Sequence, residues 1–231
     1  ALVKFGSTSN NLSFLLLLRF LIASLLFLPV SVVIWKKIKK SDVPLLITIS
    51  LTLGANFYFQ GLAMQDLPAS WYVVIFSLNP IFALIGLKTK LTRKLIANVL
   101  LMFFGTLLFI DFQQVISNHL SISLLYVFIG MLTWVLYTFL LARIQNKLSD
   151  IESTGLTQQL ALIACLLIWL IQGFPIGLSE QQIPSVIVLG LLTPAAYFLF
   201  SYCLRRAPTF GVLSQYLEPV FGVLIGFVFL N

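Results

Sequence analysis

The chain has 231 residues, of which 60% are hydrophobic and only 9% are charged, and its mean hydropathy is +1.05. A soluble domain carries roughly 25% charged residues, so this composition excludes a water-soluble protein. The net charge of +7 does not indicate nucleic-acid binding, because the basic residues lie in short clusters between apolar runs and form no basic face.

Eight apolar runs follow one another along the chain, and each can supply the helix of about 20 residues that crosses the hydrocarbon core of a bilayer. Such a run must satisfy its own backbone hydrogen bonds, so each is predicted to be helical. The alternating polarity of an outer-membrane barrel is absent from the sequence. The sequence therefore predicts an all-α, polytopic transmembrane helix bundle with eight full spans, at Leu12–Trp35, Pro44–Ala63, Pro68–Leu87, Leu95–Phe112, Leu120–Ala142, Thr154–Phe174, Pro184–Leu204 and Thr209–Leu230.

Positive charges alternate between the two ends of the predicted spans. All Lys and Arg residues except Lys4 and Arg19 follow the first, third, fifth or seventh span. Loops rich in Lys and Arg stay in the cytoplasm, so this end of the bundle is expected to be cytoplasmic. The loops expected there are 36–43, 88–94, 143–153 and 205–208.

The two halves of the chain resemble each other at a spacing of about 140 residues. Gly54–Phe57 matches Pro194–Tyr197, and Leu78–Phe82 matches Leu217–Phe221. The matched helices would cross the membrane in opposite directions, which defines an inverted-topology repeat and requires an odd number of spans in each unit. The expected units of this 5+5 repeat are 1–112, with its first helix mostly missing, and 120–231, with its last helix missing, so the intact protein would have ten spans.

Three stretches of these helices carry family motifs, namely Arg19–Ala23, Leu78–Phe82 and Tyr216–Phe221. Together they resemble the drug/metabolite transporter superfamily, in its EamA-type branch of five-plus-five inverted repeats. Members similar in this way export amino acids and other metabolites, or exchange metabolites or nucleotide sugars. The resemblance implies a multi-pass protein of the plasma or inner membrane with a small-molecule substrate, and it leaves a coupling proton and a homodimer open.

The leading functional hypothesis is a secondary-active transporter of small, amino-acid-like or related metabolites, which works by alternating access about a midplane cavity. The alternatives are a channel or a non-transporting scaffold or sensor. An intramembrane enzyme is least expected, because one carboxylate and no histidine lie deep in a span, and Cys165 and Cys203 have no disulfide or metal-ligand spacing. The sequence has no GxxxxGK[ST] loop for a nucleotide, and no cofactor or metal is expected.

Arg19 and Glu218 are the two ionisable residues predicted to lie well inside spans, where a charge costs at least ~2.5–3.5 kcal/mol. Arg19 is interpreted either as a substrate contact or as a residue that snorkels or pairs structurally. Glu218 shares a helix face with Gln215, and this face either lines the cavity or forms a packing seam. Glu218 is also a candidate proton carrier or cation-binding group.

Neutral polar and aromatic residues complete the predicted site. A polar stripe with four-residue spacing, which either lines the cavity or forms hydrogen bonds to a neighbouring helix, consists of Thr48, Thr52, Asn56 and Gln60. Trp134, Tyr137 and Tyr197 flank the expected cavity, although aromatic residues in such places more often serve as packing or interfacial anchors.

Two prolines interrupt predicted spans at matched positions. Pro80 and Pro219 each remove a backbone hydrogen bond, and their matched places favour a functional bend over a tolerated kink. The residues just before them, Asn79 and Glu218, are expected to approach a common central cavity from opposite repeats.

Overall fold

A computed structural model describes residues 11–67, 72, 75–90, 92–107 and 122–217, without the side chains of Thr106, Leu107 and Gln181. These residues form helices and connecting loops and contain no strand. Two short 3-10 turns precede long helices, at Lys40–Asp42 and Glu180–Gln182, and a third, Ser214–Tyr216, follows the last helix. The helices are α1 Leu12–Leu25, α2 Leu28–Lys37, α3 Val43–Asp66, α4 Asn79–Gly86, α5 Arg93–Leu107, α6 Ile122–Ile144, α7 Asp150–Ile171, α8 Ile183–Arg206 and α9 Pro208–Leu213.

Four helices of the described part, α3, α6, α7 and α8, are long and apolar enough to cross a membrane, and α1 with α2 makes a fifth if the pair is one span. These helices coincide with five of the predicted runs. The other three runs, Pro68–Leu87, Leu95–Phe112 and Thr209–Leu230, lie only partly within the described residues. An all-helical bundle with several spans is therefore established, while the count of eight stays a prediction.

The first predicted run, Leu12–Trp35, is helical but is not one straight helix. Helix α1 ends at Leu25, α2 begins at Leu28, and the two axes meet at 83°. Pro29 lies in the first turn of α2. It has no N–H to donate to the carbonyl of Leu25, and its ring would clash with that carbonyl in a continuous helix, so the chain breaks before it.

The core joins the long helices through contacts between small residues and large apolar side chains. Helix α3 packs along α6, α1 packs on α7 and α8, and α7 also packs on α3. Phe20, Leu53, Tyr137 and Leu141 are almost completely buried between these helices. At Gly54 of α3 the backbone of α7 comes so close that an added Cβ would lie 2.6 Å from the methyl carbon of Ala164.

Ion pairs hold several helix ends together at one end of the bundle, here called the charged end. Lys37, at the end of α2, lies 2.6 Å from the Glu152 carboxylate in the first turn of α7. Lys147, between α6 and α7, pairs with Asp42 just before α3. At the end of α8, Arg205 and Arg206 each lie 2.6 Å from Asp150. The charged end therefore gathers three of the four basic loops. 

Contacts of a different kind join the helix ends at the opposite end. Ser123, at the start of α6, donates a hydrogen bond to Asp66 at the end of α3 over 2.8 Å. Asn11, just before α1, donates to the carbonyl of Gly177 between α7 and α8 over 3.0 Å. Helices α3 and α7 therefore run away from the charged end, while α6 and α8 run towards it.

Helices α3 and α8 begin in the same way, although they start at opposite ends of the bundle. Each follows a 3-10 turn whose last side chain caps the turn: Asp42 accepts from the N–H of Lys39, and Gln182 accepts from that of Ser179, both over 3.1 Å. Each helix then has a proline in its first turn and is 24 residues long. Two helix starts of the same kind therefore lie at opposite ends of the bundle.

We expect Gly54→Ala to destabilise the protein, because the new methyl group would collide with Ala164 of α7. Overpacking of this kind costs about 1–3 kcal/mol, more than the helix propensity that alanine gains. Thermal unfolding of the purified protein in detergent measures the difference. The control is Gly105→Ala in α5, where an added Cβ has no described atom within 4 Å. Equal melting temperatures for the two variants would contradict the close α3–α7 contact.

Candidate functional site

A cavity between α1, α3 and α8 is lined by two of the predicted site residues, Arg19 and Gln60. It has a volume of about 30 Å³, enough for one or two water molecules. The residues that α1 contributes are three or four positions apart, so they share one face of the helix. The lining residues are Leu12, Leu15, Leu16 and Arg19 of α1, Phe57, Gln60 and Gly61 of α3, and Ser185, Val186 and Leu189 of α8. Since Leu12 and Ser185 lie in the first turns of α1 and α8, the cavity lies in the half of the bundle away from the charged end.

Arg19 extends from α1 across the cavity to the middle of α8. Its Nε donates a hydrogen bond to Oγ1 of Thr193 over 2.9 Å, and its guanidinium carbon lies 4.8 Å from the ring centre of Phe57. A second ring, that of Phe20, lies 5.3 Å away, so aromatic faces flank the cation on α1 and α3. Thr193 is about ten residues, or ~15 Å, into α8. The side chain therefore reaches inward and does not snorkel to the near interface.

No carboxylate among the described residues pairs with Arg19. The ion pairs found there all lie at the charged end. Asp66 is bonded to Ser123, and Glu180 is exposed on the 3-10 turn before α8. No described group accepts a hydrogen bond from the two terminal nitrogens of Arg19. Arg19 thus lines the cavity as a cation that has no counter-charge among the described residues.

The polar stripe of α3 divides into residues with different roles. Gln60 lines the cavity and donates to the hydroxyl of Tyr72 over 2.7 Å. Asn56 is buried and donates to the carbonyl of Gly130 in α6 over 2.7 Å, so its amide joins two helices, as the alternative interpretation has it. Thr48, at the start of the stripe, is exposed and bonds the carbonyl of Pro44. Residues four positions apart are displaced by roughly 40° around the helix axis. After three such steps, the residues of the stripe no longer lie on one face of the helix.

The three predicted aromatic residues lie together between α6 and α8. The ring centres are 5.2 Å apart for Trp134 and Tyr137, 5.8 Å for Trp134 and Tyr197, and 5.9 Å for Tyr137 and Tyr197. Phe57 lies 6.3 Å from Tyr197 and so links this cluster to Arg19. The hydroxyl of Tyr137 is 3.5 Å from that of Thr157 in α7. The indole N–H of Trp134 is buried and has no acceptor within the described part of the chain.

A hydrogen bond between two amides connects the halves of the chain at the start of α4. The Nδ2 of Asn79 donates to Oε1 of Gln215 over 2.6 Å, and Asn79 is completely buried. The remaining atoms of the pair, Oδ1 of Asn79 and Nε2 of Gln215, find no partner among the described residues. Buried polar atoms are nearly always hydrogen-bonded, so these two have capacity for a polar ligand or water.

Of the two predicted bends, the structure describes only the first. Pro80 lies in the first turn of α4, directly after a turn at Ser77 and Leu78, where its missing N–H leaves no helix bond unmade. Glu218 and Pro219 lie outside the described residues. Their expected approach to a cavity shared with Asn79 therefore stays a prediction.

Sequence reasoning missed Thr193, the hydrogen-bond partner of Arg19, and the lining residues Phe57 and Ser185. One signal for Thr193 was available, since it precedes Pro194, an interior proline of α8 in a stretch that matches the other half. Phe57 and Ser185 carry no signal of their own in an apolar sequence. Among the described residues, no group of three His, Cys, Asp or Glu side chains could hold a metal ion.

Comparison with known families adds one finding to this geometry. Residues 121–231, a little under half of the chain, match the family model described as the EamA-like transporter family. This part of the chain is EamA-like. Together with the apolar helices, the match indicates a multi-pass integral membrane protein whose second half is similar to a transporter family. No curated protein matches the chain.

The EamA-like segment provides one side of the candidate site. Trp134, Tyr137, Tyr197 and Gln215 lie within the matched residues. Arg19, Gln60 and Asn79 come from the first half of the chain, outside the match. The hydrogen bonds from Arg19 to Thr193 and from Asn79 to Gln215 therefore both join the unmatched half to the EamA-like segment.

We expect Asn79 and Gln215 to be energetically coupled. A double-mutant cycle with Asn79→Ala and Gln215→Ala should give an interaction energy of about 0.5–1.5 kcal/mol, the usual contribution of a buried hydrogen bond. Unfolding of the purified protein in detergent supplies the free energies. Gln215→Ala combined with Thr48→Ala is the control, because Thr48 is exposed and bonds within its own helix. If the losses in unfolding free energy caused by Asn79→Ala and Gln215→Ala simply add in the double variant, the hydrogen bond between the halves is contradicted.

Proposed function

We propose that the chain is a secondary-active carrier of a small metabolite and that it works by alternating access around the Arg19 cavity. The observation that carries this proposal is the position of Arg19, a cation that lines a cavity between three helices and has no carboxylate partner among the described residues. A charge in a span is costly and commonly marks the path of a substrate or ion.

The two ends of the bundle differ in the way that alternating access requires. The cavity lies in one half, and at the end of the other half ion pairs tie α2, α3, α7 and α8 to one another. We propose that this is one of two states and that the charged end faces the cytoplasm of a cell whose plasma or inner membrane holds the protein. Opening of the charged end would then accompany closure of the cavity.

An inverted repeat would explain how one chain forms both states, because the two units can exchange conformations. Two equivalent helix contacts support such a repeat. In the first, Ser50 of α3 donates to the carbonyl of Leu160 in α7 over 2.7 Å. In the second, Gly190 of α8 lies so close to α1 that an added Cβ would be 3.2 Å from the carbonyl oxygen of Arg19. At the spacing of the sequence repeat, Ser50 corresponds to Gly190 and Leu160 to Arg19, so we propose that the units are 1–112 and 120–231.

The coupling ion is proposed from the sequence alone. Glu218 remains our candidate proton carrier, because it is the one carboxylate expected deep in a span. The structure describes its neighbours on the helix as far as Leu217. The proposal of proton coupling therefore rests on the expected position of Glu218 deep in a span and on the rule that acidic residues inside spans commonly take part in proton or ion transport.

Alternating access predicts that Asp150→Asn makes the charged end more accessible to solvent and the cavity at the opposite side less accessible. The substitution weakens the pairs with Arg205 and Arg206 and should favour the state that is open at the charged end. In a background without Cys165 and Cys203, an impermeant maleimide should then label Thr157→Cys several-fold faster from the charged side. Ser185→Cys, which lines the cavity, should be labelled more slowly from the opposite side.

The control for this experiment is Asp66→Asn, which removes a carboxylate from the opposite end and should leave labelling of Thr157→Cys unchanged. Local loosening of the charged end would accelerate labelling at Thr157→Cys without slowing it at Ser185→Cys. That pattern, or no change at either position, would refute alternating access.

A further inference from the structure

We propose that helix α2 lies in the plane of the membrane at the charged end and binds an anionic phospholipid. The acyl chains would cover the exposed apolar face of α2, and the headgroup would lie at the lysines that end and follow it. The inference goes beyond the carrier function and does not depend on it. It rests on the direction of α2, on its exposed side chains and on the charge at its end.

The direction of α2 follows from the bend that precedes it. Helix α1 runs antiparallel along α7: the ring centres of Phe14 and Trp169 are 6.0 Å apart at one end, and at the other an added Cβ on Gly155 would lie 3.0 Å from the ring of Phe27. Helix α1 therefore follows the long axis of the bundle, and α2, at 83° to α1, runs across that axis. A helix that runs across the axis of a membrane-spanning bundle is parallel to the membrane plane.

Contacts with α7 show that α2 crosses it near the charged end. The side chain of Gln159 accepts a hydrogen bond from the indole of Trp35 over 3.2 Å and donates one to the hydroxyl of Ser31, so two residues one turn apart on α2 contact the same residue of α7. Lys37 pairs with Glu152. Glu152 and Gln159 are about 3 and 14 Å past the start of α7, so α2 lies at the depth where headgroups meet acyl chains.

The outer face of α2 is apolar and exposed within the described part of the chain. Leu28, Val32 and Trp35 follow one another at spacings of four and three residues, so they share one face of the helix. They are 56%, 62% and 46% exposed, whereas Ile34, on the side that packs on the bundle, is completely buried. An exposed tryptophan whose indole N–H is bonded is typical of the membrane interface. This face therefore suits the acyl chains of a lipid.

Lysines lie at the end of this face. Lys36 and Lys37 end α2, Lys39 and Lys40 follow, and all four are exposed. Lys37 pairs with Glu152, while the other three form none of the ion pairs found in the described residues. Four lysines next to a membrane helix attract anionic lipids, and a two-fold dimer through this face would instead bring the same lysines together. The charge therefore selects an anionic headgroup as the partner. 

Spin labels on the full chain in lipid vesicles test the position of α2. Leu28→Cys and Val32→Cys, each in a chain without Cys165 and Cys203, carry the label, and collisions with oxygen and with a soluble nickel complex report its depth. We expect both labels to be accessible to oxygen and to lie at nearly the same shallow depth. The matched control is Phe128→Cys and Leu132→Cys, an exposed pair of the same spacing on the spanning helix α6, whose depths should differ by ~6 Å.

Quenching of a fluorophore on Val32→Cys tests which lipid covers α2. The quenchers are nitroxide-labelled phosphatidylglycerol and equally labelled phosphatidylcholine, each as a minor component of phosphatidylcholine vesicles. At equal mole fraction we expect phosphatidylglycerol to quench several-fold more strongly, because the lysines concentrate anionic lipid beside the label. The preference should disappear in the chain that combines Lys36→Gln, Lys39→Gln and Lys40→Gln.

A second triple variant, Lys88→Gln with Lys90→Gln and Lys94→Gln, is the control for net charge. It removes three exposed lysines from another basic loop and should keep the preference for phosphatidylglycerol at Val32→Cys. Loss of the preference in this variant too would show that the net charge of the chain, and not the lysines after α2, attracts the lipid, and would overturn the inference.

Three further results would also overturn it. A depth difference of ~6 Å between the labels at Leu28→Cys and Val32→Cys would make α2 part of a spanning helix. Labels shielded from oxygen would show that protein, either another segment or a second copy, covers the apolar face. Equal quenching by the two lipids in the chain with all its lysines would show that no anionic lipid is selected.

Discussion

The free-energy cost of a charge in hydrocarbon, at least ~2.5–3.5 kcal/mol at a helix centre, governs where charged side chains lie in this bundle. At the charged end, Asp42, Asp150 and Glu152 each pair with lysine or arginine, so helix ends that carry opposite charges are tied together. Arg19 is different, because it lies in the interior with a hydroxyl and two aromatic rings as its described neighbours. The pairs join helix ends at one end of the bundle, whereas Arg19 in the other half has no carboxylate partner among the described residues.

The lack of water inside the membrane also constrains polar side chains and the backbone. A hydroxyl or amide in a span has to find its partner within the protein, and here many do so on a neighbouring helix: Ser50 bonds α7, and Asn56 bonds α6. Close approach of the helices then requires small residues, as at Gly54 and Gly190. Prolines lie where the missing N–H is least costly, in the first turns of α2, α3, α4 and α8. Pro194, inside α8, is an exception next to the residue that holds Arg19.

Much of the fold follows from the sequence, because hydropathy and the need for internal hydrogen bonds decide both the class of protein and the places of the long helices. The angle between α1 and α2 does not follow from hydropathy, because hydropathy carries no information about the direction of a helix axis. Pro29 is the residue in the sequence that indicates a break in the helix. Pairings between helices, such as Arg19 with Thr193, depend on how the helices rotate and cross. Periodicity along one helix cannot specify its partner on another, and the stripe from Thr48 to Gln60 shows that a spacing of four residues does not even keep to one face.

The central claim is that the two halves run through the membrane in opposite directions around the Arg19 cavity. The most direct measurement uses Lys40 and Glu180, which occupy the same position in the matching 3-10 turns and are both exposed. Lys40→Cys and Glu180→Cys, each in a chain without Cys165 and Cys203, can be treated with an impermeant maleimide in intact cells and in inside-out vesicles. The account predicts that intact cells label only Glu180→Cys and that inside-out vesicles label only Lys40→Cys. Labelling of both positions from the same side would contradict it.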